Sequence, residues 1–285
     1  MAWTPEPTYD KPDISIRATT LYYEIVAPIM LPHISGRLLN LFRCREKTCF
    51  FQRNRGHPPT GSEFDGLVHF EPVAQKNGRT EDYPYVTSEK EIVACAKVQS
   101  VEFHGWGSRA GMIEFPDRMV IDLDPDPQLS FDAVRDAAFQ VRRSLEAVGL
   151  QSFAMLSGGK GVHVLVPLEP AAGWDEVRNF AKTFCTALAE AAPQRFTVAL
   201  PKEKRRGRIF LDFLRNQRTA TAIQPYSARA RSGMPVATPV DWDELQLIGS
   251  ADAFTIAEVE ELLKRAKSPR LNGWAEGGVR LPRLR

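Results

Sequence analysis

Two apolar runs, FAML and VHVLVPL, are separated only by SGGKG, Ser157 to Gly161. So short a connection cannot carry the crossover that parallel neighbours need, so the runs should pair antiparallel across a tight glycine turn. The middle of the chain then reads as strand (RMVIDLD), helix, strand (FAML), glycine turn, strand (GVHVLVPL), helix and strand (RIFLDFL). That order predicts an α+β fold with a mixed or largely antiparallel sheet. SGGKG superficially suggests a phosphate loop, but Walker A needs G-x-x-x-x-G-K-[ST] leading into a helix. Here Lys160 is followed by Gly161 and a β-branched run, which argues against a P-loop NTPase. The turn still offers backbone N–H groups, the Ser157 hydroxyl and the Lys160 ammonium to an anion, with His163 close by on the next strand.

Helical periodicity brackets these strands. Thr19 to Met30 shows helical apolar spacing, with Pro28 expected to kink or shorten the last turn. Ser130 is placed to cap FDAVRDAAFQVRRSLEAVGL, whose Val134, Ala138, Val141 and Leu145 form one stripe that Gly149 ends. Trp174 to Ala192 follows the same rule, and Thr255 with Glu258 makes a capping-box pattern before VEELLKRAK. RNRGHPPTGSEFDG and EPVAQKNGRTEDYPYVTSEKE read as surface excursions.

VIDLDPDP, Val120 to Pro127, places acids where a core strand would carry aliphatic side chains. Residues two apart on a strand face the same way, so Asp122 and Asp124 share one face while Ile121 and Leu123 take the other. Two such carboxylates repel, and a shared proton, a basic partner or divalent cations would relieve them. Asp126, fenced by Pro125 and Pro127, reads as a turn acid. A calcium loop fails, because Pro127 and Ala133 stand where Gly and Glu are required. Asp212 in RIFLDFL, with Arg208 and Arg215 nearby, is a third strand acid. Three strand acids can hold two divalent ions, one aligning a hydroxyl and one a triphosphate, as in two-metal phosphoryl transfer.

With 285 residues, 43% of them hydrophobic, the chain can bury a full core, and a net charge of +2 leaves affinity for a polyanion to local clusters. Lys202, Lys204, Arg205 and Arg206 in PKEKRRGR form one, next to the Asp212 strand, suited to DNA phosphates and salt-sensitive binding. Phe50 and Phe51, flanked by Lys47 and Arg53, interleave aromatic faces with cations, which suits single-stranded nucleic acid. No apolar run approaches a membrane span, and MAWTPEPTYDKPD lacks the order of a secretion signal, so a cytoplasmic location is expected. Of the four cysteines only Cys44 and Cys49 lie close together. With His57 they do not complete a zinc site, and all four are read as reduced thiols.

D-L-D on one strand, S-G-x-K-G-x-H-V after the next and D-F-L-R-N on a later one together resemble the archaeo-eukaryotic primase superfamily. Within it the chain looks like the polymerase domain of bacterial end-joining ligase D and its stand-alone primase-polymerase relatives. YYEIVAPIMLPHISGR, CFFQRN, EFHGWGSR and QPYSARARSGMPVATPVDWDEL extend the likeness in the same order. The resemblance implies a single primase-polymerase domain over 1–285. Its expected parts are an N-terminal α/β portion (1–105) and an RRM-like catalytic portion with a mixed or antiparallel sheet (106–267); the Gly-, Pro- and Arg-rich stretch 268–285 reads from its composition as a loose C-terminal tail or a lead into a partner domain.

The same resemblance implies template-directed extension of a primer 3′-hydroxyl with NTPs or dNTPs, for gap filling or end joining. Asp122, Asp124 and Asp212 would hold two Mg²⁺ or Mn²⁺ ions, and Ser157, Lys160 and His163 would contact the incoming triphosphate. Arg229 of P-Y-S-x-R-x-R and His104 of EFHGW would face that site, with Phe50 and Phe51 against nucleotide or template bases. Gapped or broken duplex DNA, Ku and a DNA ligase are the implied partners. The chain departs from the pattern at Ile16, where the family carries a lysine that grips a 5′-phosphate; Lys11 and Arg17 are the nearby cations. No K-x-D-G ligase motif occurs. Two rivals stand beside this reading. One is a non-catalytic nucleic-acid binding module, which clustered acids facing a polyanion disfavour; the other is a metal-dependent nucleotide hydrolase using water as nucleophile.

Overall fold

The computed structural model describes residues 15–45, 48–55 and 63–282; Lys11, Lys47 and His57 lie outside the described residues. Ser15 opens helix α1 (Ile16–Ile34) by accepting the Ala18 N–H, and Tyr22, Tyr23, Val26, Ala27, Met30 and Ile34 form its buried stripe. Pro28 does not shorten the helix as expected: it and Pro32 both lie inside. Each sits on the exposed side, where the unpaired carbonyls meet water, and burial of the stripe outweighs the roughly 3 kcal/mol cost of an interior proline.

Strands β1 (Arg37–Arg45) and β2 (Thr48–Gln52) pair antiparallel with Cys44 directly opposite Cys49, and these two form a disulfide. The reading of all four cysteines as reduced thiols is corrected here, since cross-strand register brings this pair together; Cys95 and Cys185 are free and buried. The surface excursion expected after residue 70 has a structure of its own. It folds as a hairpin of β3 (His69–Ala74) and β4 (Thr80–Tyr85), turning at Asn77 and Gly78, whose φ is +78°. Pro72 and Pro84 are tolerated because both strands of a two-stranded sheet are edges. Helix α2 (Glu89–Lys97) follows under a Ser88–Glu91 capping box.

Then come β5 (Ser100–Arg109), β6 (Arg118–Pro125), α3 (Phe131–Ala147), β7 (Phe153–Leu156), β8 (Val162–Pro167), α4 (Trp174–Ala191), β9 (Phe196–Thr197) and β10 (Ile209–Asp212). β11 (Ala222–Ile223), β12 (Thr238–Val240), α5 (Trp242–Leu245) and α6 (Val259–Ala266) complete the order. Asp126 closes a turn by accepting the Gln128 N–H, as its two prolines suggest. Ser130 precedes α3 without a side-chain cap bond, whereas Thr255 and Glu258 do form their capping box.

The strands make a four-stranded sheet, β11-β5-β1-β2, and a six-stranded sheet, β12-β7-β8-β6-β10-β9. Every neighbouring pair in the larger sheet is antiparallel except β9 with β10, the mixed α+β arrangement expected. Helices α3 and α4 cover one of its faces, packing Val134, Val141, Val177 and Phe184 against Ile121, Leu123, Val162 and Val164. On the other face, Val120, Met155 and Leu165 are sealed by Ile223 and Trp274. The remainder of that face stays open, and Asp122, Asp124 and His163 lie there.

The C-terminal stretch is not the loose tail expected. Trp274 is buried, donates its indole N–H to the Ala154 carbonyl and meets His33 edge-on, while Val279 bridges to Leu168. The core of the smaller sheet takes in Tyr226, Val236 and Leu262 alongside α1 and α2, so early and late parts of the chain interleave. Among the described residues no helix is long and apolar enough to cross a membrane.

Candidate active site

Asp122 sits within β6 with His163 of β8 opposite it on one side and Asp212 of β10 on the other. The row His163, Asp122, Asp212 therefore crosses three adjacent strands on the open face. Asp122 Oδ1 lies 3.4 Å from His163 Nε2, and the Arg215 guanidinium reaches Asp122 Oδ2 at 3.0 Å and Asp212 Oδ2 at 3.2 Å. Asp124, one pleat further and half exposed, meets Arg205 at 3.3 Å, and that guanidinium lies 3.6 Å over the Phe210 ring.

These contacts set the charge states. Burial opposes the charge on Asp122, but His163 and Arg215 outweigh it and hold the carboxyl well below the usual range. Burial, with the Asp122 charge beside them, pushes Asp124 and Asp212 upward against Arg205 and Arg215. An all-oxygen set of mutually repelling carboxylates on one face suits a hard divalent cation in kind. Among the described residues no three His, Cys, Asp or Glu side chains close on a common point, and Arg215 stands between Asp122 and Asp212.

The glycine turn between β7 and β8 forms the next wall. Ser157 Oγ accepts the N–H groups of Gly159 and Gly161. Gly161 is required by contact: a β-carbon there would lie 2.2 Å from the Leu123 carbonyl oxygen. Its absence lets the turn lie directly against the acid strand. The smaller sheet supplies the facing wall through β5, where His104 Nε2 lies 2.8 Å from Glu102. Arg229 stands 3.1 Å from the same carboxylate and donates to the Ser157 carbonyl at 2.8 Å.

Asp122, Asp124, Ser157, Lys160, His163, Arg229 and His104 all line one open cavity of about 270 Å³. Asp212 joins it through Arg215 and its register with Asp122. Phe50 and Phe51 do not act as a pair, because strand alternation sends them to opposite sides. Phe51 meets the His104 ring at 5.2 Å, whereas Phe50 lines a separate cleft with Arg43, Arg45 and Lys97. Lys202, Lys204 and Arg206 are exposed around a 3₁₀ turn, and Arg53 is exposed just past β2. Arg205, by contrast, is folded onto Asp124. Sequence reasoning missed Glu102 and Arg231, the latter lining the cavity beside Gly159. The signal was present in both cases as a two-residue offset: Glu102 precedes His104 on its strand face, and Arg231 follows Arg229.

A family model described as LigD, primase-polymerase domain, matches residues 17–270. The chain is 34% identical over 261 residues to the multifunctional non-homologous end joining protein LigD of Pseudomonas aeruginosa, covering 88% of this chain and 30% of that protein. It is 34% identical over 155 residues to the bifunctional non-homologous end joining protein LigD of Bacillus subtilis, covering 54% of this chain and 25% of that one. The chain thus spans about 30% of the length of the first of these relatives. The polymerase domain from Mycobacterium tuberculosis ligase D in complex with DNA superposes with a TM-score of 0.79 at 25% identity, covering 94% of this chain and 98% of that one. Sequence, fold and shared coverage agree that the chain belongs to the LigD primase-polymerase domain family of nucleotidyltransferases.

Proposed function

We propose that this chain extends a primer 3′-hydroxyl along a DNA template with NTPs or dNTPs, filling gaps or joining ends in DNA repair. The observation that carries the reading is the row of His163, Asp122 and Asp212 across three strands, the first two lining a cavity walled by the glycine turn and arginines and the third tied to it through Arg215. Asp122, Asp124 and Asp212 are the residues that would hold two Mg²⁺ or Mn²⁺ ions, which when bound activate the attacking hydroxyl and neutralise phosphate charge. Ser157, Lys160, His163 and Arg229 bind the triphosphate and stabilise the charge that grows on the departing pyrophosphate. His104 and Phe51 bound the nucleotide on the side of the smaller sheet, and Phe50 offers its own cleft to a template base. Lys202, Lys204, Arg206 and Arg53 take DNA phosphates, with Arg205 held in reserve at Asp124.

The relatives' end-joining role supports gapped or broken duplex DNA as substrate, Ku and a DNA ligase as partners, and a place at the nucleoid in the cytoplasm. Primer extension on a short-gapped duplex tests the reading, run with each ion and each nucleotide class, with and without a 5′-phosphate at the gap. Templated addition should vanish in the Asp122→Ala/Asp124→Ala protein while DNA binding, followed by fluorescence anisotropy, persists. DNA bound without any addition would make the chain a binding module. Phosphate release from nucleotide without primer would make it a hydrolase. Since Ile16 replaces a phosphate-gripping lysine, the gap's 5′-phosphate should matter only if Arg17 or Lys11 takes over that contact.

A further inference from the structure

Glu102 lies within β5, is only 1% exposed, and plays no part in the chemistry proposed above. A buried carboxylate is costly unless cations and hydrogen bonds enclose it. Here Oε1 accepts the Ala230 N–H at 2.8 Å, and Oε2 lies 2.8 Å from His104 Nε2 and 3.1 Å from Arg229 Nε. Burial works against its charge, yet Arg229, His104 and the Ala230 N–H overcome it and bring the pKa to about 2. At neutral pH the group is ionised and can only accept hydrogen bonds.

Each of its three contacts leads to the cavity wall. Arg229 goes on to the Ser157 carbonyl, and its stem is wedged on the glycine turn, since a β-carbon at Gly158 would lie 2.8 Å from Arg229 Cγ. Ala230 sits between Arg229 and Arg231, so fixing its N–H fixes the backbone from which both guanidinium groups enter the cavity. Burial lowers the pKa of His104 from its ordinary value, so the ring is neutral at pH 7. With the carboxylate taking Nε2–H, the ring's lone pair is left on Nδ1.

We propose that Glu102 is a positioning residue for nucleotide binding, holding Arg229 and the Arg231 segment toward the triphosphate and fixing His104 in the tautomer whose Nδ1 can accept a hydrogen bond from the nucleotide. The proposal rests on the cavity being the nucleotide site. It gives the buried acid a use that packing alone does not, because all three groups it holds belong to that one wall.

Glu102→Gln keeps the size of the side chain and an acceptor for the Ala230 N–H while removing the charge. Its nucleotide KM should rise about tenfold, the loss that follows removal of an outer-shell partner. kcat should change much less, DNA affinity should not move, and Glu102→Asp should recover part of the loss. Two-dimensional ¹⁵N–¹H spectra of the wild-type imidazoles should show His104 protonated on Nε2 at neutral pH, and a tautomer mixture in the Gln variant. A folded Gln variant with unchanged nucleotide KM overturns the proposal. So does a wild-type His104 protonated on Nδ1 alone, a measurement that needs no variant. Wild-type protein that adds no nucleotide would strike the polymerase reading, and the tautomer would still decide whether Glu102 orients His104.

Discussion

The two walls of the cavity are built by different means. On the acid wall, Asp122, His163 and Asp212 take their places from the register of three neighbouring strands in one sheet. The basic wall has no such ladder. Glu102 and His104 come from the other sheet, Arg229 and Arg231 from a loop, and side-chain bonds gather them. The difference shows two routes to a fixed geometry: backbone hydrogen bonds set the groups that must sit closest together, and a buried ion pair sets those that must reach across.

The contrast can be broken first where the walls meet. Gly161→Ala would drive a methyl into the Leu123 carbonyl, and since backbone cannot yield as a side-chain tip can, about 3 kcal/mol of stability should be lost in urea unfolding. Gly159→Ala, whose β-carbon would meet the movable Arg231 guanidinium at 3.2 Å and the Ser157 hydroxyl at 3.4 Å but no backbone as near, should cost far less. Equal losses would deny that the acid wall depends on close backbone approach.

A smaller effect should separate the two sheets. Cys44 and Cys49 tie β1 to β2 through a short loop, and such closure is worth about 2 kcal/mol in the chain-entropy account. Replacing both by Ser should lower the thermal midpoint relative to oxidised wild type, and a reductant should erase the difference. If it persists under reductant, packing of the thiols rather than the tie would be responsible.

An effect absent at neutral pH, and drawn out only by acid, concerns the seam where α1 and Trp274 meet the larger sheet. Burial, with Arg118, Arg37 and Arg109 nearby, lowers the pKa of His33 to about 3. The unfolded chain takes up that proton first, near the ordinary value of about 6.5, so the stability from a neutral His33 is complete above there and drains as pH falls toward 3. His33→Phe, which keeps a ring against Trp274 and Tyr226, should flatten that part of the acid limb. Superimposable acid limbs would remove His33 from the account.

The sequence was most readable where one local rule decides the outcome. Alternation placed Asp122 and Asp124 on one face, and the brevity of SGGKG forced the antiparallel pairing that brings His163 beside them. It was least readable where tertiary contacts override a local signal. Pro28 lies inside a helix because the buried stripe of α1 outweighs it, and Pro72 and Pro84 hid a hairpin that Asn77-Gly78 announces. The Cys44–Cys49 bond follows from cross-strand register, which spacing alone does not reveal. Glu102 went unread although its two-residue offset from His104 marked the shared face, because the partners that enclose its charge, Arg229 and Ala230, lie more than a hundred residues away.

Because Asp212 faces Asp122 across a strand pair, the candidate site is sensitive to counting. A slip of one residue in β10 would set Leu211 on the open face and turn the carboxylate toward the face that α3 and α4 cover, whereas a longer loop outside the paired segments and the glycine turn would leave the register of the row unchanged. The candidate site of this fold is therefore inherited as arithmetic: substitution can tune the walls, but insertion or deletion within the paired segments changes which side of the sheet carries the acids.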